Sequence, residues 1–483
     1  MFMQRNVAYV LLIAMLGLIA LGLVMLTSTS AVLASTDMSG VYSNLRKQCV
    51  WLGIGGMTCV FLSRFDYQKL LRFAPWMLGL ATVLLVLCLV PHVGHRINGS
   101  PRWVRVGTWT YQPSEFAKVA LILFLSWWMG KYQRRSGEFL KGFLWPILCV
   151  VPLFGLMVTQ EDFGTTAIML AILATMLFCA GTNMFYLGTI ALVALAGLVA
   201  TTTYNHERMG RMKAWWTTVH QSDVSLTDDE ANRQIQALIG KSDSRQLLVV
   251  LTKSDPQDLS LIVRHQPQVI SALAKTDPRA LTLVVKKNLQ LLDLLVVNAP
   301  QTLNALAESD PKLQELIAKE KAVIAKGYQQ KQALIALGSG GLSGLGLGNS
   351  RQKMYWLPEV NTDFVFPIIG EELGMWVTLS VVLSFLVLVL CSGWITVHAP
   401  DPSGVLLGTG LTMMIALQAM MNLAVVTSLM PCKGIPLPFI SYGGSNLLTC
   451  LAAIGFLFNL HRQGIYQTQS APALASASYS VRM

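Results

Sequence analysis

Apolar segments recur at residues 8–30, 47–63, 74–91, 115–130, 143–158, 163–181, 183–203, 365–391, 403–429 and 443–460. No other feature restricts the fold as much. A helix crosses a bilayer core with about 20 mostly apolar residues. Inside that core, every backbone N–H and C=O must find its partner within the protein. The pattern therefore predicts an all-α polytopic membrane protein with about ten transmembrane helices. Composition agrees, since 53% of the 483 residues are hydrophobic and 13% are charged, which is far from the soluble balance. The first segment lacks a small-residue cleavage site and reads as a retained span.

Basic residues orient the spans. Arg5, Arg64, Lys69, Arg72, Lys131, Arg134, Arg135, Lys141 and Arg462 fall on one side. Arg46, Lys47, Arg96, Arg102 and Arg105 fall on the other. The excess predicts that both termini are cytoplasmic. Segments 92–114, 204–364 and 430–442 then face the periplasm or cell exterior. The net charge of +11 fits juxtamembrane attraction to anionic membrane lipid. It does not suggest nucleic acid, because the basic residues are scattered among spans. The eight cysteines sit in or beside apolar segments without metal-ligand spacing.

Three regions follow. Residues 1–222 hold spans one to seven and the start of a large extracytoplasmic loop. Residues 223–325 form a soluble-like insertion, in which Pro256, Pro267, Pro278, Pro300 and Pro311 recur at intervals of 11 or twice 11. Asp255, Asp277 and Asp310 each precede a proline, a helix-start signal. A stack of short helices, structural or partner-docking, is expected there. Residues 326–483 carry a Gly-rich segment, the last three spans and a cytoplasmic tail.

Polar residues in the outward segments concentrate in three places. The first runs from Arg102 and Trp103 to Gln112, Ser114 and Glu115. Ser114 and Glu115 suit either capping of a helix start or function. Arg102 beside Trp103 offers a cation and a flat apolar face to a phosphorylated sugar, or an interfacial anchor pair. The second is Gly338–Gly348, leading through Gln352 and Lys353 to Glu359 and Asp363. So much glycine excludes an ordinary helix and lets backbone amides approach a ligand. Asp363 abuts the eighth span, where a carboxylate is a functional candidate by default, or an N-cap of that span. Glu371 and Glu372 read as an intramembrane hydrogen-bond or ion-pair site. The third is Pro431–Ser445, whose prolines and glycines predict a rigid re-entrant loop carrying Lys433 and Ser441. Gln418 and Asn422 share a face of the preceding helix, where they can bond a neighbour or a polar ligand.

These motifs, with Phe65-Asp66-Tyr67, Asn98-Gly99, Asp162-Phe163-Gly164-Thr165, Gly327-Tyr328-Gln329 and Thr362-Asp363-Phe364, resemble the SEDS family (shape, elongation, division and sporulation). Lys433 before Gly434 resembles its division-type, FtsW-like branch. Two departures are Asn361, where the family commonly has His, and Glu161, where it has Pro. The resemblance implies a peptidoglycan glycosyltransferase that polymerises lipid II at the outer face of the cytoplasmic membrane, for septal wall synthesis. It also implies a class B penicillin-binding protein as transpeptidase partner, together with other division membrane proteins. Within it, Asp363 is expected as general base, and Arg102 and Lys433 as electrostatic ligands of the pyrophosphate. Trp103, Gln112, Ser114, Glu115, Lys353, Glu359, Gln418, Asn422 and Ser441 complete the expected substrate site. Mg or Mn is compatible with such chemistry, although the sequence supplies no ligand cluster. A lipid-precursor flippase and a non-catalytic division scaffold are the competing readings.

Overall fold

The computed structural model describes residues 2–33, 38–91, 93–97, 100–107, 109–190, 311–355, 357 and 359–480, with isolated positions between 192 and 306. The chain divides into two compact units, one of residues 1–199 with 332–483 and one of residues 200–331.

The first unit is mostly helical. It opens with α1 (Phe2–Leu33), α2 (Met38–Arg64), the short α3 (Tyr67–Arg72) and α4 (Ala74–Leu89). After an excursion come α5 (Pro113–Lys131), α6 (Trp145–Thr159) and α7 (Phe163–Cys179). Helix α8 (Pro311–Ser339) lies mostly in residues of the second unit; the first continues with α9 (Gln352–Tyr355), α10 (Val365–Val397), α11 (Pro402–Val426) and α12 (Gly444–Ser480). Starts follow local chemistry. Asp401 caps α11 by accepting from Gly404 N at 3.1 Å, with Pro402 as the first helical residue. Asp162 caps α7 in the same way through Thr165 N at 3.4 Å.

Five described helices are both long and apolar enough to cross a membrane: Asn6–Ser30, Phe139–Thr159, Val365–Val397, Pro402–Val426 and Gly444–Gln467. Ala74–Leu89 and Phe163–Cys179 are apolar but shorter. Helix α5 has a different character. It is buried almost throughout its first fourteen residues, with Glu115 and Lys118 inside the protein. It packs against α4, α7 and α11 and forms the axis of the bundle. Polar groups on such a helix are shielded from lipid by neighbouring helices rather than exposed to it.

The expectation of an all-α chain needs correction in one segment. Residues 94–111 form a three-stranded antiparallel sheet, β1 (Gly94–Ile97), β2 (Ser100–Val106) and β3 (Trp109–Tyr111), in the order β1-β2-β3. Val104 lies opposite Gly94 on one side and Tyr111 on the other. Valine, tryptophan, threonine and tyrosine favour such a surface, and outside the apolar spans no helical period competes with it.

The helical-array expectation for 223–325 falls largely outside the described residues. Within them, Pro311 is the first residue of α8. Leu281, Leu292 and Leu303 are helical and fully buried.

Candidate active site

Asp363 lies two residues before α10, in the turn Glu359–Phe364. The helix is preceded by Phe364 and receives no side-chain cap, so Asp363 is not its N-cap. Its carboxyl is half-buried. Among the described residues no side chain donates a hydrogen bond to it. Burial pushes this carboxyl up to about 7; Glu359 adds to the rise and Arg102 opposes it. Such an acid is part ionised near neutral pH and has a proton-accepting oxygen free.

Helix α11 and one loop hold it there. The Asp363 carbonyl accepts from Asn422 Nδ2 at 2.9 Å, and the same amide donates to Ile435 O at 2.7 Å. Ser441 Oγ donates to Thr362 O, and accepts from Leu437 N at 2.8 Å. Tyr442 N donates to Asn361 O at 2.8 Å. The non-helical segment 431–443 is thereby stapled along residues 361–363. A Cβ added at Gly434 would lie 2.7 Å from Asp363 Oδ2. Glycine there lets the exposed loop backbone cover the acid without displacing it. The preceding Lys433 runs its stem past Gly164, at the start of α7. The loop that covers Asp363 therefore also carries Lys433 against the start of α7. Among the described residues, the non-glycine positions with left-handed backbone are Glu161 (φ 59), Glu359 (φ 58), Ser428 (φ 59) and Phe439 (φ 66), in the turns before α7 and α10 and in the segment after α11. Strain of this kind persists where surrounding structure over-determines the chain, commonly at functional sites.

Arg102, on β2, closes the recess from the sheet side. Its guanidinium donates to Gln160 O at 3.1 Å and Glu161 O at 2.7 Å, and lies 3.9 Å from Asp162. The side chain keeps 30% exposure. Asp162 also accepts from Ser114 Oγ at 3.3 Å and Gln112 Nε2 at 3.4 Å, while Gln112 N donates to Ser445 Oγ at 3.0 Å. Beneath them Glu115 pairs with Lys118 at 2.9 Å, both buried. Lys118 Nζ donates to Gln418 Oε1 at 2.9 Å, and Gln418 Nε2 reaches Asn446 Oδ1 at 2.7 Å and Pro436 O at 3.0 Å. A continuous polar band therefore underlies Asp363. Two of its buried acceptors, Asn361 Oδ1 and Asn422 Oδ1, have no donor among the described residues.

Several of the expected substrate ligands have protein partners in this geometry. Gln418, Asn422 and Ser441 donate to protein, because the irregular loop exposes carbonyls that must be satisfied at depth. Ser114 does not cap α5, which begins at Pro113; its hydroxyl is turned to Asp162. Lys353 is drawn away altogether. Its ammonium is 2.5 Å from Glu372 Oε1 and 2.8 Å from Ser28 Oγ, with side-chain exposures of 1% for the lysine and 0% for the glutamate. Glu371 accepts from Ser350 Oγ at 2.5 Å and Arg351 N at 2.9 Å. Two of the glycines, Gly340 and Gly344, lie against the backbone of α10. Helix α10 breaks at Gly374 (φ 79), and a Cβ at Gly344 would lie 2.2 Å from Glu372 O. Glycine allows the loop backbone to lie directly against the broken helix.

The structure thus brings Asp363, Glu359 and Arg102 together, sets the loop of Lys433 beside them, and places Gln112, Ser114 and Glu115 in the layer below. Trp103 stands half-buried on β2, opposite His95. Sequence reasoning did not select Lys118, Asp162 or Asn446 as site residues. A lysine one turn after Glu115 inside an apolar span was the available signal for the first.

Together the bundle and recess define a polytopic membrane protein with an acid-and-cation site at one end of its helices. The FtsW/RodA/SpoVE profile, described as cell cycle protein, matches residues 9–238 and 285–465, and the chain belongs to that family. It is 29% identical to the "Probable peptidoglycan glycosyltransferase FtsW" of Trichlorobacter lovleyi, over 93% of this chain and 92% of that one. It is 30% identical to the "Stage V sporulation protein E" of Bacillus subtilis, over 94% and 97%. Among solved structures, a chain of a peptidoglycan synthase complex aligns with TM-score 0.52 at 21% identity, covering 94% of this chain and 97% of that chain. The Thermus thermophilus rod shape determining protein RodA aligns with TM-score 0.50 at 21% identity, covering 94% and 95%.

Proposed function

We propose that this chain is a peptidoglycan glycosyltransferase of the division type, polymerising lipid II into glycan strands for the septum. The relatives' names support the activity. The observation that carries the mechanism is the Asp363 carboxyl, raised to about 7 and without a side-chain donor, beside Arg102 and the Lys433 loop. In this reading about ten helices span the cytoplasmic membrane with both termini inside, and Asp363 opens to the periplasm or cell exterior.

Chain growth joins the 4-hydroxyl of one sugar to the anomeric carbon of another. Asp363 takes the hydroxyl proton as the O4–C1 bond forms. The C1–O bond to the diphosphate breaks, and its electron pair leaves with undecaprenyl pyrophosphate. Attack opposite the leaving group inverts the anomeric centre. Arg102 and Lys433 stabilise the departing charge, where low dielectric strengthens each contact. Trp103 offers a face to a sugar ring. No cluster of three His, Cys, Asp or Glu occurs among the described residues. A divalent cation would find the carboxylates of Asp363 and Glu359, with its remaining ligands from diphosphate and water. When bound it would add charge stabilisation to the leaving group.

The transpeptidase partner in this reading is a class B penicillin-binding protein, accompanied by other division membrane proteins. Residues 223–325 serve docking rather than chemistry. Purified protein incubated with labelled lipid II, with and without the partner, tests the proposal. Elongated glycan that disappears in Asp363→Asn supports it. Translocation of lipid II without polymer would establish a flippase instead, and neither activity would leave a scaffold.

A further inference from the structure

The opposite end of α5 carries a second charged site. Helix α5 has 19 residues and is about 28 Å long, so Lys131 lies roughly a bilayer core away from Gln112. There the turn Gly130–Arg135 lines a cavity of about 290 Å³. Lys131, Arg134 and Arg135 are exposed around it, and Lys141 stands nearby. The cations are not loosely spread. Lys131 Nζ lies 5.4 Å from the Trp127 ring centre and 5.5 Å from that of Tyr132, and Lys141 Nζ lies 5.5 Å from Tyr132. Trp128 Nε1 donates to Lys141 O at 2.9 Å, which ties the two sides of the turn together. Such ring contacts hold ammonium groups in place at modest energy. The acid facing the turn is Glu138, whose Oε1 is 3.7 Å from Arg135 Nε, with both side chains about half exposed. Within residues 130–141 one acid therefore stands against four cations; Asp401, two residues before the Ser403 that lies against Gly130, is turned to Gly404 N and Tyr67.

The neighbouring surface is apolar. Phe139, Leu140 and Trp145 are 47%, 56% and 52% exposed at the start of the membrane-length helix Phe139–Thr159. Phe139 and Phe143 pack on Tyr186 at 5.3 and 5.0 Å. Exposed rings beside fixed cations, at the end of a spanning helix, are the chemistry of a headgroup boundary. This open depression admits a phosphate headgroup, and the acyl chains would lie along Leu140 and Trp145.

We propose that the Gly130–Arg135 turn is a binding site for the phosphate headgroup of an anionic phospholipid. Lys131, Arg134 and Arg135 contact the phosphate, and the Phe139–Trp145 surface takes the acyl chains. A soluble phosphate shares the headgroup chemistry but would gain nothing from the apolar surface, so the lipid is the occupant.

The full chain, purified in neutral detergent, is titrated with phosphatidylglycerol, phosphatidylcholine or inorganic phosphate, and bound lipid is counted by native mass spectrometry. One phosphatidylglycerol should be retained saturably, and phosphatidylcholine much more weakly. At about 1 kcal/mol per basic residue near a membrane surface, the double variant Arg134→Gln, Arg135→Gln should bind about thirtyfold more weakly. Glu138→Gln should bind severalfold more tightly, a gain that misfolding cannot produce. Equal retention by wild type and the double variant, or no gain in Glu138→Gln, would overturn the site. Competition by inorganic phosphate at concentrations comparable to the lipid would replace the lipid with a free anion and equally overturn the proposal.

Discussion

Two acidic seats differ in one respect that separates chemistry from architecture. Glu372, below the Gly-rich segment, is fully buried and fully paired. Lys353 Nζ, Ser28 Oγ at 2.7 Å and Gly348 N at 3.1 Å all donate to it. Asp363, at the edge of the bundle, is half-buried, and its carboxyl has no side-chain donor among the described residues. A buried ion pair with every lone pair satisfied anchors a loop and leaves nothing to give a substrate. An acid with a raised pKa and a free oxygen is poised for proton transfer. Both acids were visible as candidates in the sequence, and only the surrounding donors tell them apart.

The largest expected effect lies at the open seat. Asp363→Asn should lower polymerisation of labelled lipid II by about 10²–10⁴-fold, with thermal unfolding unimpaired. Folding raises this carboxyl from 3.8 to about 7, so the folded state takes up a proton between those values. Its contribution to stability therefore falls as pH rises through that window, and the charged form is disfavoured above it. Asp363→Asn removes this cost and should unfold at an equal or higher temperature at pH 8. A variant that lost activity and melted early would place Asp363 with the structural acids.

The closed seat should behave in the opposite way. Lys353→Met leaves Glu372 buried without its cation and should destabilise the protein by about 3–5 kcal/mol. Combining it with Glu372→Leu should recover much of that loss in a thermal-unfolding cycle. No recovery would mean that the pair acts through something beyond mutual neutralisation.

A smaller effect concerns ionisation. With the base near 7, kcat/KM should fall about tenfold per unit below that pH and level off above it. The same profile in Glu359→Gln should shift to lower pH, because a neighbouring negative charge is removed. An unmoved profile would separate the titrating group from Asp363.

The smallest is positional. Asn422 fixes the backbone of Asp363 to Ile435, so Asn422→Ala should reduce kcat severalfold with little change in KM and cost about 1–3 kcal/mol. A change confined to KM would restore Asn422 to the role of substrate ligand.

Some of this was legible from residues alone. Asp363 stood out because it adjoins the long apolar run of α10, and Gln418 and Asn422 were correctly placed on one face of α11. Their partners were not legible. Gln418 meets Lys118 and Asn446, and Asn422 meets two carbonyls of distant loops. The sheet at 94–111 was missed because its short strands sit between spans, where hydropathy gives no period to read.

Membrane character was determined by sequence alone, because hydropathy is a local sum and a bilayer reads it segment by segment. The glycines of 338–348 were likewise fixed there as positions where a helix would be difficult, whereas the break at Gly374 inside α10 was seen only in the structure. Which acid is paired and which is free was decided only by tertiary structure. Ser28 meets Glu372 across 344 residues of chain, and Arg102 reaches the turn before α7 across 58 and 59. A carboxylate's chemistry depends on which donors surround it, and those donors arrive by folding rather than by sequence proximity.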